Sequence, residues 1–144
     1  MRVYLDNCCY DRPFDDQSQL RVRLETEAKL AIQALMRIGV LEYVWSDMLV
    51  TEAGDNPSQE NCEKILSWRD RAAVYVSVDA DIERRAGEIM TLGVKTADAL
   101  HLACAESASC DWFFTVDRGI LKKVSRLGAM RIANPMQFIQ EEET

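Results

Sequence analysis

The stretch GVKTADALHLACAESASCDWFFTVD, residues 93–117, holds the strongest signal of fold in this chain. Thr96 can cap a helix running from Ala97 to about Ser107, and DWFFTV then reads as a strand ending at Asp117. Successive strand residues point to opposite faces, so an unbroken apolar run is a strand covered on both sides, as in a parallel sheet. The same stretch places Asp98 inside an apolar helical pattern and Asp117 at the end of an apolar run, two positions where burial makes a carboxylate costly.

Working outward, strand and helix signals alternate. RVYL at 2–5 is a short strand that stops at Asp6 and Asn7, and CCYDRPFDD at 8–16 reads as a polar, Pro-containing loop. A long helix follows from Leu20 to Arg37, with Leu24, Ala28, Ala31 and Leu35 along one stripe, a Glu25–Lys29 pair on another face, and Gly39 as its stop. LEYVW is a second strand; Ser46 and Asp47 can cap the helix opening SDMLVTE, and another helix starts at Asn56 or Ser58. AVYVSV is a third strand candidate, residues 80–91 are helical, RGILKKVSRL is a short helix, and MRIA is a fifth strand. Asn134-Pro135 then starts a last turn or helix. The expected fold class is α/β: a three-layer α/β/α domain over residues 1–140 around a central parallel sheet of about five short strands, with 141–144 a solvated tail.

Composition fits one ordinary globular domain. Of 144 residues, 48% are apolar and 28% charged, with three Pro and six Gly, which excludes disorder and low complexity. No repeat is present. The formal charge of -7 argues against a nonspecific polyanion binder working by bulk charge, but not against an enzyme that handles nucleic acid through a local basic rim or metal ions. An acidic chain also suits a basic partner. No apolar segment approaches membrane-spanning length, and the opening MRVYLDNCCYDRPF meets an acid at residue 6, so a cytoplasmic protein is expected. Five cysteines without a C-x-x-C pair and a single His, His101, argue against a structural zinc site.

In a parallel sheet covered by helices, ligands bind beyond the carboxyl ends of the strands, where strand order reverses. Asp6 and Asp117 end the first and fourth strands, Glu52 faces inward on a helix that starts at the same edge, and Asp98 lies in a first helical turn at that edge. Each has an ordinary structural role open to it: Asp6 and Asp117 as caps, Asp98 as a partner of the helix dipole, Glu52 as a solvent-facing helix residue. Four like charges at one sheet end are nevertheless costly, because two of them 4 Å apart repel by roughly 4 kcal/mol at an effective dielectric of about 20. A shared cation reverses that sign. Oxygen ligands select Mg²⁺ or Mn²⁺, and the chemistry such a site serves is phosphodiester hydrolysis.

The order YLDNCCYDRPFDD, SDMLVTE, TADALHLACAESASCDWFFTVD resembles the PIN domain family, close to the toxin nucleases of bacterial toxin and antitoxin pairs, over Arg2 to about Phe138. The resemblance implies a Mg²⁺- or Mn²⁺-dependent ribonuclease, commonly a homodimer and often held by an antitoxin protein. By it, Asp6, Asp98 and Asp117 are metal ligands and Glu52 a ligand directly or through water. Two positions depart from the family pattern: Asn7 where Thr or Ser is common, and Gly119 where a further acid is frequent. The second leaves one or two metals open.

Around these acids, Arg12 is a candidate phosphate contact or a salt-bridged loop anchor, and Lys95, Arg118, Lys122 and Lys123 form a candidate basic patch for an RNA substrate. Trp112, Phe113 and Phe114 read as core, while Trp45 and Trp68 could stack bases or meet a second subunit. His101, one turn past Asp98, is expected to be a packed, hydrogen-bonded residue. Cys8 and Cys9 have only His101 as a base for thiol chemistry. Other functional classes stay open: a nuclease for structured RNA or DNA, and a catalytically silent PIN-like binding module. A haloacid-dehalogenase-like phosphohydrolase is excluded, because it needs a second acid where Cys8 stands.

Overall fold

The computed structural model describes residues 1–11 and 17–142. Its centre is a six-stranded sheet in the order β3-β2-β1-β4-β6-β5. The strands are β1 (Arg2–Leu5), β2 (Glu42–Ser46), β3 (Val74–Val76), β4 (Trp112–Phe114), β5 (Arg126–Leu127) and β6 (Met130–Ala133). All pairings are parallel except β5 with β6. The helices are α1 (Asn7–Asp11), α2 (Leu20–Arg37), α3 (Asp47–Gly54), α4 (Gln59–Leu66), α5 (Ala80–Met90), α6 (Thr96–Ser107), α7 (Arg118–Leu121) and α8 (Pro135–Glu142).

Val3, Tyr4 and Leu5 of β1 and Trp112, Phe113 and Phe114 of β4 are all buried, so both faces of the central strands are covered, giving the expected three-layer α/β/α arrangement. Helices α5 and α6 pack on each other, as do α2 and α8. The turn between α5 and α6 passes through Gly93 at φ +93°, a left-handed conformation that a side chain would strain.

Several expectations need correction. The sheet has six strands because Arg126–Leu127, expected to end a helix, pairs antiparallel with β6; α7 stops at Leu121. Residues 8–11, expected as loop, belong to α1, which begins at Asn7. The backbone cap of α6 is Lys95 rather than Thr96, and it makes no side-chain capping bond. The last helix reaches Glu142, inside the segment expected to be tail. Trp45 is fully buried against Tyr10 at a centroid distance of 5.1 Å, so it offers nothing to a base or a partner, while half-buried Trp68 packs on Tyr43 and carries Arg37 over its ring.

The buried stripe of α2 is also rotated from the expected one. Glu25, Ala28, Lys29, Ile32 and Met36 face inward, leaving Leu20, Leu24 and Leu30 exposed. Glu25 is satisfied there by Asn134 at 2.6 Å and Arg21 at 3.4 Å.

Candidate metal centre

Strands β1 and β4 are neighbours, and β1 has β2 on its other side, so strand order reverses between them. Asp6 follows β1 and continues its register, its N–H bonding the Phe114 carbonyl at 2.9 Å. Just past β4, Thr115 occupies the matching position, and its hydroxyl donates to Asp6 Oδ2 at 2.9 Å. Asp6 Oδ1 accepts the Asn7 N–H at 2.8 Å, and the Cys8 thiol reaches Oδ2 at 3.4 Å. Asp6 is only 5% exposed. Burial pushes its carboxyl up; His101, Thr115 and Cys8 oppose this and Glu52 adds to it.

Glu52 and His101 complete an inner group with Asp6. Ser46 caps α3 by accepting the Leu49 N–H at 3.3 Å, which sets the helix so that Glu52, one and a half turns on, faces α6. His101 Nε2 lies 2.9 Å from Glu52 Oε1 and 3.9 Å from Asp6 Oδ1. One donor atom from each of the three residues falls within 4.8 Å of the others, an arrangement that can hold a metal ion. The imidazole is fully buried, and burial disfavours its charge, yet Glu52, Asp6 and Asp98 together hold its pKa above the ordinary value.

Asp98 and Asp117 line an adjoining cavity of about 140 Å³ together with Gly93, Lys95, Gly119 and Lys123. The Asp98 carboxyl is pushed up to about 6, first by burial, then by the charges of Asp6 and Asp117, with a smaller contribution from Glu52. Asp98 therefore feels the charge of each of the other three predicted acids at this edge of the sheet. Asp117 also has its ordinary structural role: Oδ1 accepts the Gly119 N–H at 2.7 Å and caps α7. A Cβ at position 119 would lie 3.0 Å from that oxygen, so a side chain there would require the Asp117 carboxylate to shift by a few tenths of an ångström.

The basic patch is partly assembled. Lys95 and Lys123 line the cavity, whereas Arg118 and Lys122 are exposed and are not among its lining residues. Arg12 lies outside the described residues. Sequence reasoning passed over Thr115 and Tyr4. The alternation of a strand carries a signal for Tyr4, since it shares a face with Asp6 two residues on. Thr115 needed the β1–β4 pairing, which joins residues 109 positions apart. His101 is packed and hydrogen-bonded as expected, through Nδ1 to Tyr4 at 2.6 Å, and its other ring nitrogen faces the acids.

The sequence pattern of the PIN domain family matches residues 22–127. The chain belongs to that family. Among solved structures, FitAcB from Neisseria gonorrhoeae is similar at a TM-score of 0.60 and 16% identity, covering 92% of this chain and 97% of the other. VapBC2 from Rickettsia felis, bound to a DNA fragment from their promoter, is similar at a TM-score of 0.59 and 13% identity, with the same coverages of 92% and 97%. At such identities the likeness is one of fold. No curated protein matches the chain.

Proposed function

We propose that this chain is a divalent-metal-dependent endoribonuclease, with Asp6, Glu52, Asp98 and Asp117 holding Mg²⁺ or Mn²⁺ and single-stranded RNA as substrate. The observation that supports the reading is the meeting of Asp6 and Glu52 at the switch point of the sheet, with burial and the charges of Asp6, Asp117 and Glu52 pushing the Asp98 carboxyl up to about 6. The donor set fits a hard cation: oxygen atoms of like charge, one of them almost wholly buried, repel one another until a positive ion joins them. A bound divalent ion supplies a water acidified toward neutral pH and positive charge for the phosphoryl oxygens.

The side chains carry the remaining work. Thr115, Asn7 and Cys8 fix the Asp6 carboxylate from three directions, so its orientation is set before substrate arrives. Lys95 and Lys123 border the cavity holding Asp98 and Asp117 and offer a local positive rim in a chain of net charge -7. Membership of the PIN family, generally a family of nucleases, supports the reaction class.

The toxin reading is a finer step of the same proposal. Its supports are the resemblance to toxin nucleases and the fold shared with FitAcB and VapBC2. An antitoxin carrying a basic segment would complement the acidic chain.

The test is cleavage of structured and unstructured RNA with Mg²⁺, Mn²⁺ or EDTA. Metal-dependent cutting of unstructured RNA, lost in Asp6→Asn and Asp98→Asn proteins that remain folded, is expected. Absence of metal-dependent cleavage of any RNA, with no Mn²⁺ binding by calorimetry, would favour a silent binding module.

A further inference from the structure

The imidazole of His101 stands apart from the carboxylates in chemistry and in partner. Its Nδ1 is taken up by the Tyr4 hydroxyl at 2.6 Å, and that hydroxyl is also 2.7 Å from Ser46 Oγ. Tyr4 is itself held by stacking on Phe113 at 5.3 Å, and its ring meets the imidazole edge at 5.7 Å, so the His101 ring plane has little freedom. Nε2 is buried with no hydrogen bond of acceptable geometry: Glu52 Oε1 is near enough, at 2.9 Å, but lies off the direction of the ring N–H.

Without an ion the surrounding carboxylates favour the doubly protonated ring; a ring that has lost one proton has two arrangements open to it, and neither satisfies Nε2 in the protein alone. If Tyr4 donates to Nδ1, then Nε2 carries a proton with no in-line acceptor. If Nδ1 carries the proton and donates to Tyr4, which donates on to Ser46, then the Nε2 lone pair points among carboxylate oxygens and is repelled by them. A cation among these atoms removes the second conflict. The hydrogen-bond chain would then be the usual support of a metal-bound imidazole, with the distal N–H donated to a fixed partner. Spacing agrees: donors about 2.1 Å from one ion lie roughly 3 Å apart when they meet at a right angle, against the 2.9 Å observed between Nε2 and Glu52 Oε1.

We infer that His101 Nε2 is a direct ligand of the ion held by Asp6 and Glu52, so that the centre is a mixed nitrogen and oxygen site suited to Mn²⁺ or a similar first-row ion in preference to Mg²⁺. This rests on the proposed metal site and adds the ligand that selects the metal. Imidazole favours first-row transition ions, whereas an all-oxygen set suits Mg²⁺ equally well. Tyr4 and Ser46 are positioning residues: they hold the ring in the tautomer that leaves Nε2 free for the ion.

The test is pulsed electron paramagnetic resonance on the protein loaded with Mn²⁺ alone, which reads ¹⁴N nuclei bonded to the ion without any assay of activity. A ¹⁴N coupling in wild type, absent in His101→Gln, is expected. Calorimetry should show Mn²⁺ bound more tightly than Mg²⁺, with the margin shrinking about tenfold in His101→Gln. Tyr4→Phe keeps the stacked ring and removes only the Nδ1 partner; it should retain the ¹⁴N coupling and weaken Mn²⁺ by about tenfold. The wild-type spectrum decides the matter even if a variant fails to fold. Bound Mn²⁺ without ¹⁴N coupling overturns the His101 ligand and leaves the carboxylate site standing; no bound Mn²⁺ overturns both.

Discussion

Asp98 pays most visibly for the arrangement of this sheet edge, because half-buried as it is, it meets the charges of Asp6, Asp117 and Glu52. Its folded carboxyl stands near 6 against an ordinary 3.8, so between those values the folded chain binds more protons there than the unfolded one. Its contribution to stability is therefore greatest below about 4 and falls as pH rises through about 6. Asp6 is shifted the same way, and the raised His101 acts with them, since its charge is lost as pH climbs past its folded value. In EDTA the melting midpoint should accordingly drop from mildly acid to neutral pH, less so in Asp98→Asn, and Mn²⁺ should restore it. A flat profile would mean that the acids do not repel. Asp6→Asn and Asp98→Asn should each lower metal-dependent cleavage at least about a hundredfold without loss of far-ultraviolet circular dichroism. At this scale the four acids could be singled out in the sequence, because strand ends and first helical turns are visible in apolar patterning. That patterning left Thr115 and Tyr4 aside because their value lies in cross-strand partners.

Among the elements, α3 shows how a helix cap can serve a site. Ser46 accepts the Leu49 N–H and also contacts the Tyr4 hydroxyl, while Asp79 accepts the Ile82 N–H at 2.9 Å to cap α5. Replacing either residue with Ala should cost about 1 kcal/mol in chemical denaturation. Only Ser46→Ala should also weaken Mn²⁺ binding, because Asp79 is not in the chain of groups leading to His101. Equal effects of the two on Mn²⁺ would remove Ser46 from the support of the site. The parallel strands and the helices between them were legible because each is a run with its own period. Strand β5 was not: two residues carry no period, and what makes them a strand is the antiparallel partner β6 beyond Gly128. The inward stripe of α2 was misplaced for a related reason. Glu25 and Lys29 are buried, and Glu25 finds its partner on Asn134, which no local pattern announces.

The whole molecule exposes Leu20, Leu24 and Leu30 on α2, with Ile38 and Val40 just past its end at 72% and 59% exposure. Apolar side chains gathered along one helix and the turn after it are what a subunit interface requires. A two-fold dimer through this face, burying more than about 1,000 Å² in total, is expected. Light scattering should then give about twice the chain mass of 16.4 kDa at micromolar concentration, and Leu24→Glu should return it to the monomer value. A wild-type monomer under those conditions would contradict the dimer and leave the metal centre untouched. The acids at the carboxyl end of the sheet press on Asp98 together, and their common demand is for a positive ion. The most direct measurement of that demand is a crystal structure soaked in Mn²⁺, read in its anomalous map. A peak is expected about 2.0–2.6 Å from carboxylate oxygens of Asp6 and at least one of Glu52, Asp98 and Asp117. An empty map at this edge, with Mn²⁺ bound elsewhere or nowhere, would contradict the proposed metal centre.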